Sequence, residues 1–253
     1  MPPVLLIFIG VAVFVVLVVV LAMWGAKQRR EGIRAALGVV GLTMIDKSEI
    51  DEKSRVWSRI ATPFGKHMWN DGPKGIQWFA EGSVNGLPVV VIEHRYATGA
   101  GKNRRLHYHS AATAVGVKGL PRIYVREKHL GDKLMGLFGA ESISIGDEAF
   151  EKHFRIFCEG DNAIPGAFLT PGLRAWLLAQ PRHDLQLITG PEGLTTCLAK
   201  MLGKPEQVAA LARKPAEALA ALAAPPPSGG AIDGKADEQD EDRFGAAVTR
   251  NVR

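Results

Sequence analysis

The stretch SVNGLPVVVIEHRY, residues 83–96, carries the strongest local structural signal in the chain. Asn85 and Gly86 both tolerate the positive φ angles that a two-residue type I′ turn requires, and apolar residues flank them on each side. The arm after the turn is rich in β-branched side chains, which favour strands. The stretch therefore predicts an antiparallel hairpin, the starting point of a sheet whose strands follow one another along the chain.

The following residues extend this hairpin into a meander. The basic, glycine-containing loop TGAGKNRR (98–105) leads into LHYHSAATAVGV (106–117) as another strand. RIYVR (122–126) alternates polar and apolar side chains with the period of a strand. SISIG and FRIFC predict two more strands, and DLQLITG with GLTTCL predicts a second hairpin. The pattern is that of a mainly antiparallel sheet or a small barrel.

Helix signals dominate the later part of the chain. Asp147 is placed to cap a short helix, and Thr170 followed by Pro171 combines a capping hydroxyl with proline at the first helical position. An alanine-rich stretch over 205–223 predicts a helix that Pro215 either kinks or divides into two. We therefore predict an α+β domain over residues 76–223, with its helices towards the C-terminus.

An uninterrupted apolar segment precedes this domain. Residues 4–24 are 21 positions without a charge, and as a helix they would span roughly 30 Å, the thickness of a bilayer's hydrocarbon core. A cleaved signal peptide is the alternative, but it normally has basic residues before a shorter apolar run. Only Met-Pro-Pro precedes the run here. We predict an uncleaved, single-pass transmembrane anchor over residues 1–26.

Basic residues follow the anchor and predict its orientation in the cell membrane. These basic residues are Lys27, Arg29, Arg30 and Arg34. By the positive-inside rule they predict that the domain lies in the cytoplasm. Residues 27–75 predict a juxtamembrane helix and a linker, because Ile33, Leu37 and Val40 recur at helical spacing before a stretch rich in charges, prolines and glycines. Residues 224–253 predict a disordered acidic tail.

The charge distribution predicts a basic surface. The net charge is +5, but residues 233–243 contribute −4, so the rest of the chain carries +9. Near anionic lipid each Lys or Arg adds attraction on the order of 1 kcal/mol. The candidate residues for binding a lipid or an acidic protein partner are Lys27, Arg29, Arg30, Arg34, Lys102, Arg104 and Arg105. An ordinary solvated surface is the alternative.

The two cysteines agree with a cytoplasmic domain. Cys158 and Cys197 both lie in apolar runs, where a thiol packs as a small hydrophobic group. No spacing typical of a disulfide framework or a zinc site is present in the sequence. We expect reduced, buried thiols, with a single disulfide as the alternative.

Two histidines raise the question of a metal site. His107 and His109 lie two residues apart in a predicted strand, so both rings should face the same side. A regular hairpin centred on Gly101 would place Glu93 opposite His109 and Arg95 opposite His107. Two imidazoles and one carboxylate form the ligand set of many iron and zinc sites.

The same predicted register also offers a structural explanation of these residues. It makes Ile92, Tyr96, Leu106 and Tyr108 the core side of the sheet and the histidine face its polar outside. Arg95 beside His107 would also disfavour a divalent cation. We therefore favour a structural role and retain, as the alternative, a metal-dependent enzyme that uses Glu93, His107 and His109.

The segment FEKHFRIFCEGDNAIPGAFLTPGLRAWLL, residues 150–178, resembles one shared by small bacterial single-pass membrane proteins of uncharacterised function. In that family an F-x-x-x-F-x-V-like strand precedes an L-T-P helix start and a Leu- or Trp-Leu-Leu run. The matching positions are mostly apolar or helix-capping: Phe150, Phe154, Ile156, Leu169, Thr170, Pro171, Trp176, Leu177 and Leu178. The resemblance implies an anchor, a β-rich middle and a helical end. It implies no catalytic residue, since the family has no established activity.

The sequence thus favours a non-enzymatic binding or scaffold module without a cofactor, tethered to the membrane and exposed to the cytoplasm. Its expected partner is an anionic lipid or an acidic protein. Nucleic acid is not an expected partner, because the chain is predicted to be tethered to a membrane and its three tyrosines could equally well be core residues.

Overall fold

The computed structural model describes residues 3–45, 47–50, 72–128, 142–159, 164–181, 185–191 and 193–224. The predicted acidic tail beyond Ala224, most of the predicted linker and a glycine-rich apolar stretch after Lys128 lie outside the described residues.

The first helix, α1, is one continuous element over Pro3–Val39, 37 residues. At 1.5 Å per residue its length is about 55 Å, which exceeds the thickness of a bilayer core. Its apolar part has a mean hydropathy of 3.1, is not buried inside the protein, and is long and apolar enough to cross a membrane. The last turns differ, because Ile33 and Leu37 are fully buried against the domain. The predicted juxtamembrane helix is thus the continuation of the apolar segment.

Eight strands form one open antiparallel sheet in the order β1-β2-β3-β4-β8-β7-β5-β6. The strands are β1 Leu42–Ile45, β2 Ile76–Val84, β3 Leu87–Thr98, β4 Arg105–Val115, β5 Ile123–Glu127, β6 Phe154–Cys158, β7 Leu185–Gly190 and β8 Gly193–Leu198. Strand β1 pairs with β2, so part of the range predicted as juxtamembrane helix and linker belongs to the sheet. The sheet therefore includes residues before the predicted domain start at 76.

Both predicted hairpins are confirmed. Asn85 and Gly86 have φ values of 53° and 78°, as the type I′ turn between β2 and β3 requires. Strands β7 and β8 pair through Gly190 and Gly193. The predicted strand SISIG is wrong, since residues 142–146 form no regular strand. Ile143 still donates one backbone hydrogen bond to Ile156, but a single bond does not build a ladder.

Four further helices complete the fold: α2 Glu148–His153, α3 Ile164–Phe168, α4 Pro171–Leu178 and α5 Pro205–Ala223. The predicted caps are confirmed, because the Asp147 side chain accepts from the Phe150 amide and the Thr170 hydroxyl accepts from the Leu173 amide. Helix α5 is continuous across Pro215, so the division into two helices is wrong.

The sheet is covered on both faces. The helices pack on the face that carries Val89 and Val91 of β3, which we call the outer face. The opposite, inner face carries Val90 and Ile92, and its buried cluster extends from β2 across to Phe157 of β6. One cluster shared by strands this far apart in the sheet means that the sheet curves around it. Both faces of the central strands are therefore shielded from solvent.

The segment that carries the family resemblance builds the outer core. Phe150, Leu169, Leu173 and Leu177 are buried in one cluster with the outer faces of β5, β6 and β7. The Phe150 and Phe154 rings stack with centroids 4.8 Å apart. Most of the matching residues thus serve packing and helix capping, while Leu178 is 43% exposed.

Candidate functional site

One predicted binding residue, Arg29, is part of the fold. Its Nη2 donates to Glu93 Oε2 and to the Leu202 carbonyl oxygen, both at 2.7 Å. The Glu93 side chain is 1% exposed and that of Arg29 is 28% exposed. Arg29 lies on α1 and Glu93 on the outer face of β3, so this ion pair joins the long helix to the sheet.

Burial and pairing act on Glu93 in opposite directions. Burial raises the pKa of the Glu93 carboxyl, and the Arg29 guanidinium, with contributions from the Leu202 backbone and the Trp78 side chain, lowers it; burial is the larger effect. Desolvation disfavours the charged form of a carboxyl, whereas a nearby cation favours it. The Arg29 cation therefore offsets only part of the hydration that the Glu93 carboxylate loses on burial.

The predicted metal site does not form, because the predicted hairpin register is wrong by one residue. The loop between Thr98 and Arg105 has six residues and contains a short 3-10 turn, Gly101–Asn103. An even loop has its centre between two residues, and not on Gly101 as predicted. A shift of one residue moves every partner to the other face.

As a result, Glu93 lies opposite Ser110, and His109 lies opposite His94. Glu93 faces the helices on the outer side, while both His107 and His109 face the inner side. Within the part of the chain that the structure describes, no three His, Cys, Asp or Glu side chains are grouped to hold a metal ion. Glu93, His107 and His109 are therefore not a ligand set.

The inner face instead carries an aromatic cluster, which we define as His94, Tyr96, His107 and His109. The Tyr96 ring lies between two imidazoles, with centroids 5.0 Å from His107 and 5.2 Å from His109. His107 Nε2 shares a hydrogen bond of 2.7 Å with the Thr98 hydroxyl. Tyr96 was predicted on one face of the sheet and His107 and His109 on the other, and the observed register brings all three together.

Burial sets the protonation state of this cluster. His109 is 5% exposed, and burial, with smaller contributions from His94 and His107, lowers its pKa to about 4. Its Nδ1 has no hydrogen-bond partner among the described residues. Burial also raises the pKa of Tyr96. At neutral pH the inner face therefore holds a neutral imidazole against a neutral phenol.

Further polar side chains lie deeper on the inner face. The Tyr124 hydroxyl donates to Gln186 Oε1 at 3.0 Å, and the Arg126 guanidinium carbon lies 5.6 Å from the centre of the Phe157 ring. Burial raises the pKa of Cys197 to about 12. Both cysteines are buried thiols that form no disulfide, as expected. The sequence predicted strands over RIYVR and DLQLITG but gave no indication that Arg126 and Gln186 are interior.

The other predicted basic residues are exposed. Lys27, Arg30 and Arg34 lie on the solvent side of α1, and Lys27 approaches Glu31 at 3.9 Å. Lys102, Arg104 and Arg105 lie at the end of the β3–β4 hairpin, all exposed. Six of the seven predicted binding residues are thus accessible, and Arg29 is the exception.

An apolar groove of about 200 Å³ lies between α5 and the β7–β8 hairpin. Leu185, Leu198 and Leu211 are among its apolar lining, and Lys200 and Lys214 also line it. The groove is next to the loop that contacts Arg29, because Leu202 belongs to both.

No protein-family model, no curated protein and no solved structure matches this chain.

Proposed function

We propose that this protein is a membrane-tethered binding or scaffold module whose domain lies on the cytoplasmic side. Its partner is an anionic lipid or an acidic protein. The observation that carries the proposal is that α1 continues without a break from the apolar segment into the core of the domain. The Arg29–Glu93 ion pair then holds that helix against the sheet.

A continuous helix has a mechanical consequence that a flexible linker lacks. Trp24 ends the apolar run, at the position where aromatic residues gather at the headgroups. Ile33 and Leu37, about two and a half and three and a half turns later, are already buried in the domain. The domain therefore keeps a set distance from the membrane, and its exposed bases stay close to the headgroup layer. This arrangement suits a module that holds its exposed basic surface at a fixed distance from the membrane, where a lipid or an acidic protein can bind it.

The positions of the candidate ligands do not support the alternative of a membrane-anchored metal enzyme. It needs Glu93, His107 and His109 on one face, and Glu93 faces the helices while the histidines face the inner side of the sheet. Glu93 is also held by Arg29.

Orientation is tested with reporter fusions to the C-terminus of the full chain. Activity of a cytoplasmic reporter, and none of a reporter that needs export, is the expected result because the basic residues follow the apolar run. The reverse pattern would contradict the cytoplasmic placement.

Binding is tested with the full chain in detergent, immobilised and exposed at low salt to anionic lipid micelles and to membrane extracts. We expect the protein to retain anionic lipid or an acidic protein, and the retained amount should fall as salt rises, because salt screens the interaction between exposed charges. Neutral lipid micelles are the control. Equal retention of neutral and anionic lipid, with nothing retained from extracts, would disprove the binding function.

A further inference from the structure

The β3–β4 hairpin points back towards the apolar part of α1. At the C-terminal end of α1, the Ser83 amide donates to the Gly41 carbonyl, and Ser83 pairs with Pro88 near the start of β3. Nearer the apolar segment, Arg29 contacts Glu93 further along β3. Strand β3 therefore runs antiparallel to α1, and the end of the hairpin lies on the side of the apolar segment.

Element lengths show how far the hairpin reaches. Thr98 is five residues after Glu93, about 16 Å along an extended strand. Trp24 is five residues before Arg29, about 7.5 Å along a helix. Thr98 therefore reaches the level of Trp24 even if the strand is inclined by about 60° to the helix axis. This is the level at which the apolar run ends.

The composition of this hairpin end suits a headgroup layer. Lys102, Arg104 and Arg105 are exposed, and the neighbouring Leu106 is 51% exposed. No Asp or Glu occurs between Glu93 and Glu127. Basic side chains beside an exposed apolar one are typical of segments that lie at a membrane interface.

A second loop of similar composition lies at the same end of the domain. The loop over 199–204 is fixed by two bonds, from Ser110 Oγ to the Lys200 carbonyl at 2.8 Å and from Arg29 to the Leu202 carbonyl. It contains Lys200 and Lys204, and Met201 between them is 45% exposed.

We propose that the hairpin end over 99–106 and the 199–204 loop bind the anionic lipid headgroups of the same membrane that α1 crosses. This inference rests on the proposed membrane-tethered function. Lipid is favoured over an acidic protein because Leu106 and Met201 are exposed beside the bases, at the end of the domain that faces the apolar segment. The contact sets the tilt of the domain against the bilayer.

The expected strength follows from charge and from tethering. Each basic residue near an anionic surface favours the bound state about fivefold. The contact is intramolecular once α1 is inserted, so even a few bases act at a high effective concentration. The bound fraction should therefore respond strongly to a change of two charges.

The test uses the full chain in nanodiscs of phosphatidylcholine, with or without phosphatidylglycerol. A fluorophore on Ala100→Cys reports contact through quenching by a lipid that carries a spin label near its headgroup. Quenching should be stronger with phosphatidylglycerol and should weaken with salt. Lys102→Glu with Arg104→Glu should reduce the ratio of bound to unbound hairpin about tenfold or more.

The matched control reverses two charges at the opposite end of the domain. Lys118 lies beyond the far end of β4 and Arg122 just before β5, and both are exposed. Lys118→Glu with Arg122→Glu should leave the quenching unchanged. Equal effects of the two variants, or equal quenching in both lipid mixtures, would overturn the inference.

The outcomes separate this inference from the function on which it rests. If an acidic protein were the partner, salt-sensitive retention from extracts would persist while lipid-dependent quenching was absent. That result would overturn only the lipid contact. If alkaline carbonate released the full chain from membranes, the tether itself would be disproved.

Discussion

Glu93 and His94 are neighbours in β3, yet they belong to opposite faces of the sheet and to opposite ways of burying a titratable group. Glu93 faces the helices and keeps an ionic partner in Arg29. On the inner face His94 lies opposite His109. Burial, with smaller contributions from His94 and His107, lowers the pKa of His109 to about 4. The outer face thus pairs its buried carboxyl with a cation, and the inner face keeps a buried imidazole neutral at neutral pH.

The largest expected effect comes from removing the partner of the outer-face charge. Arg29→Met leaves Glu93 buried without its cation, and we expect the free energy of unfolding to fall by about 3 kcal/mol at neutral pH. Denaturant unfolding of the full chain in detergent measures it. Lys27→Met, two residues earlier on the exposed side of the same helix, is the control and should cost almost nothing.

The loss of stability caused by Arg29→Met should depend on pH in a defined direction. The folded-state pKa of Glu93 is already raised from 4.5, so the folded state binds more protons and its stability falls as pH rises above about 4.5. Loss of Arg29 raises that pKa further, so the penalty should grow with pH and shrink towards pH 4. Adding Glu93→Gln should recover most of the loss. A penalty independent of pH would show that Arg29 acts through packing alone.

The inner face should show the opposite pH dependence and a smaller effect. The pKa of His109 is lowered from 6.5 to about 4, so the unfolded chain binds more protons between these values. The contribution of the neutral His109 to the free energy of unfolding should be fully present above about pH 6.5. It should decrease as the pH falls, by about 2 kcal/mol at pH 5.

His109→Gln isolates this contribution, because glutamine does not titrate. The variant's free energy of unfolding should change less between pH 7 and pH 5 than that of the unaltered chain. His107→Gln is the comparison and should reduce the pH slope less, because His107 is only a smaller contributor to the lowered pKa of His109. An unchanged pH slope in His109→Gln would refute the neutral buried imidazole.

The smallest expected effect concerns how tightly the inner face is packed. A Cβ on Gly75 would lie only 2.6 Å from the Arg95 carbonyl and would also overlap the His94 ring, so Gly75→Ala should cost about 1–2 kcal/mol. Gly38→Ala in α1 meets nothing within 4 Å and should stabilise by about 0.5–1 kcal/mol. Thermal unfolding of both variants compares the two. Similar values for the two would mean that the inner face has room to relax.

Several elements were predictable because their signals are local. Asn85-Gly86 specifies its own turn, Thr170-Pro171 its own helix start, and the apolar run its own helix, each through interactions within a few residues. The apolar positions Ile33 and Leu37 were likewise identified as one face of a helix from spacing alone. Such signals depend little on what the rest of the chain does.

The candidate site was not predictable in the same way. The metal hypothesis depended on the register of one hairpin, and the register depended on a 3-10 turn that makes the loop even in length. Arg126 and Gln186 were missed because polar side chains in a strand usually mark its exposed side, whereas both of these side chains are buried. Arg29 was taken for a surface base since its partner, Glu93, is 64 residues away in the chain.

By itself, then, the sequence determined a long apolar helix, an antiparallel meander with its tight turns, and capped helices, because backbone preferences and local hydrophobic spacing act between near neighbours. Only the tertiary structure decided which face each strand residue occupies, which charges are paired, and which end of the domain lies near the apolar segment. Those outcomes depend on loop closure and on packing between distant segments. A one-residue change in register, invisible to composition and spacing, moved Glu93 away from the histidines and towards Arg29.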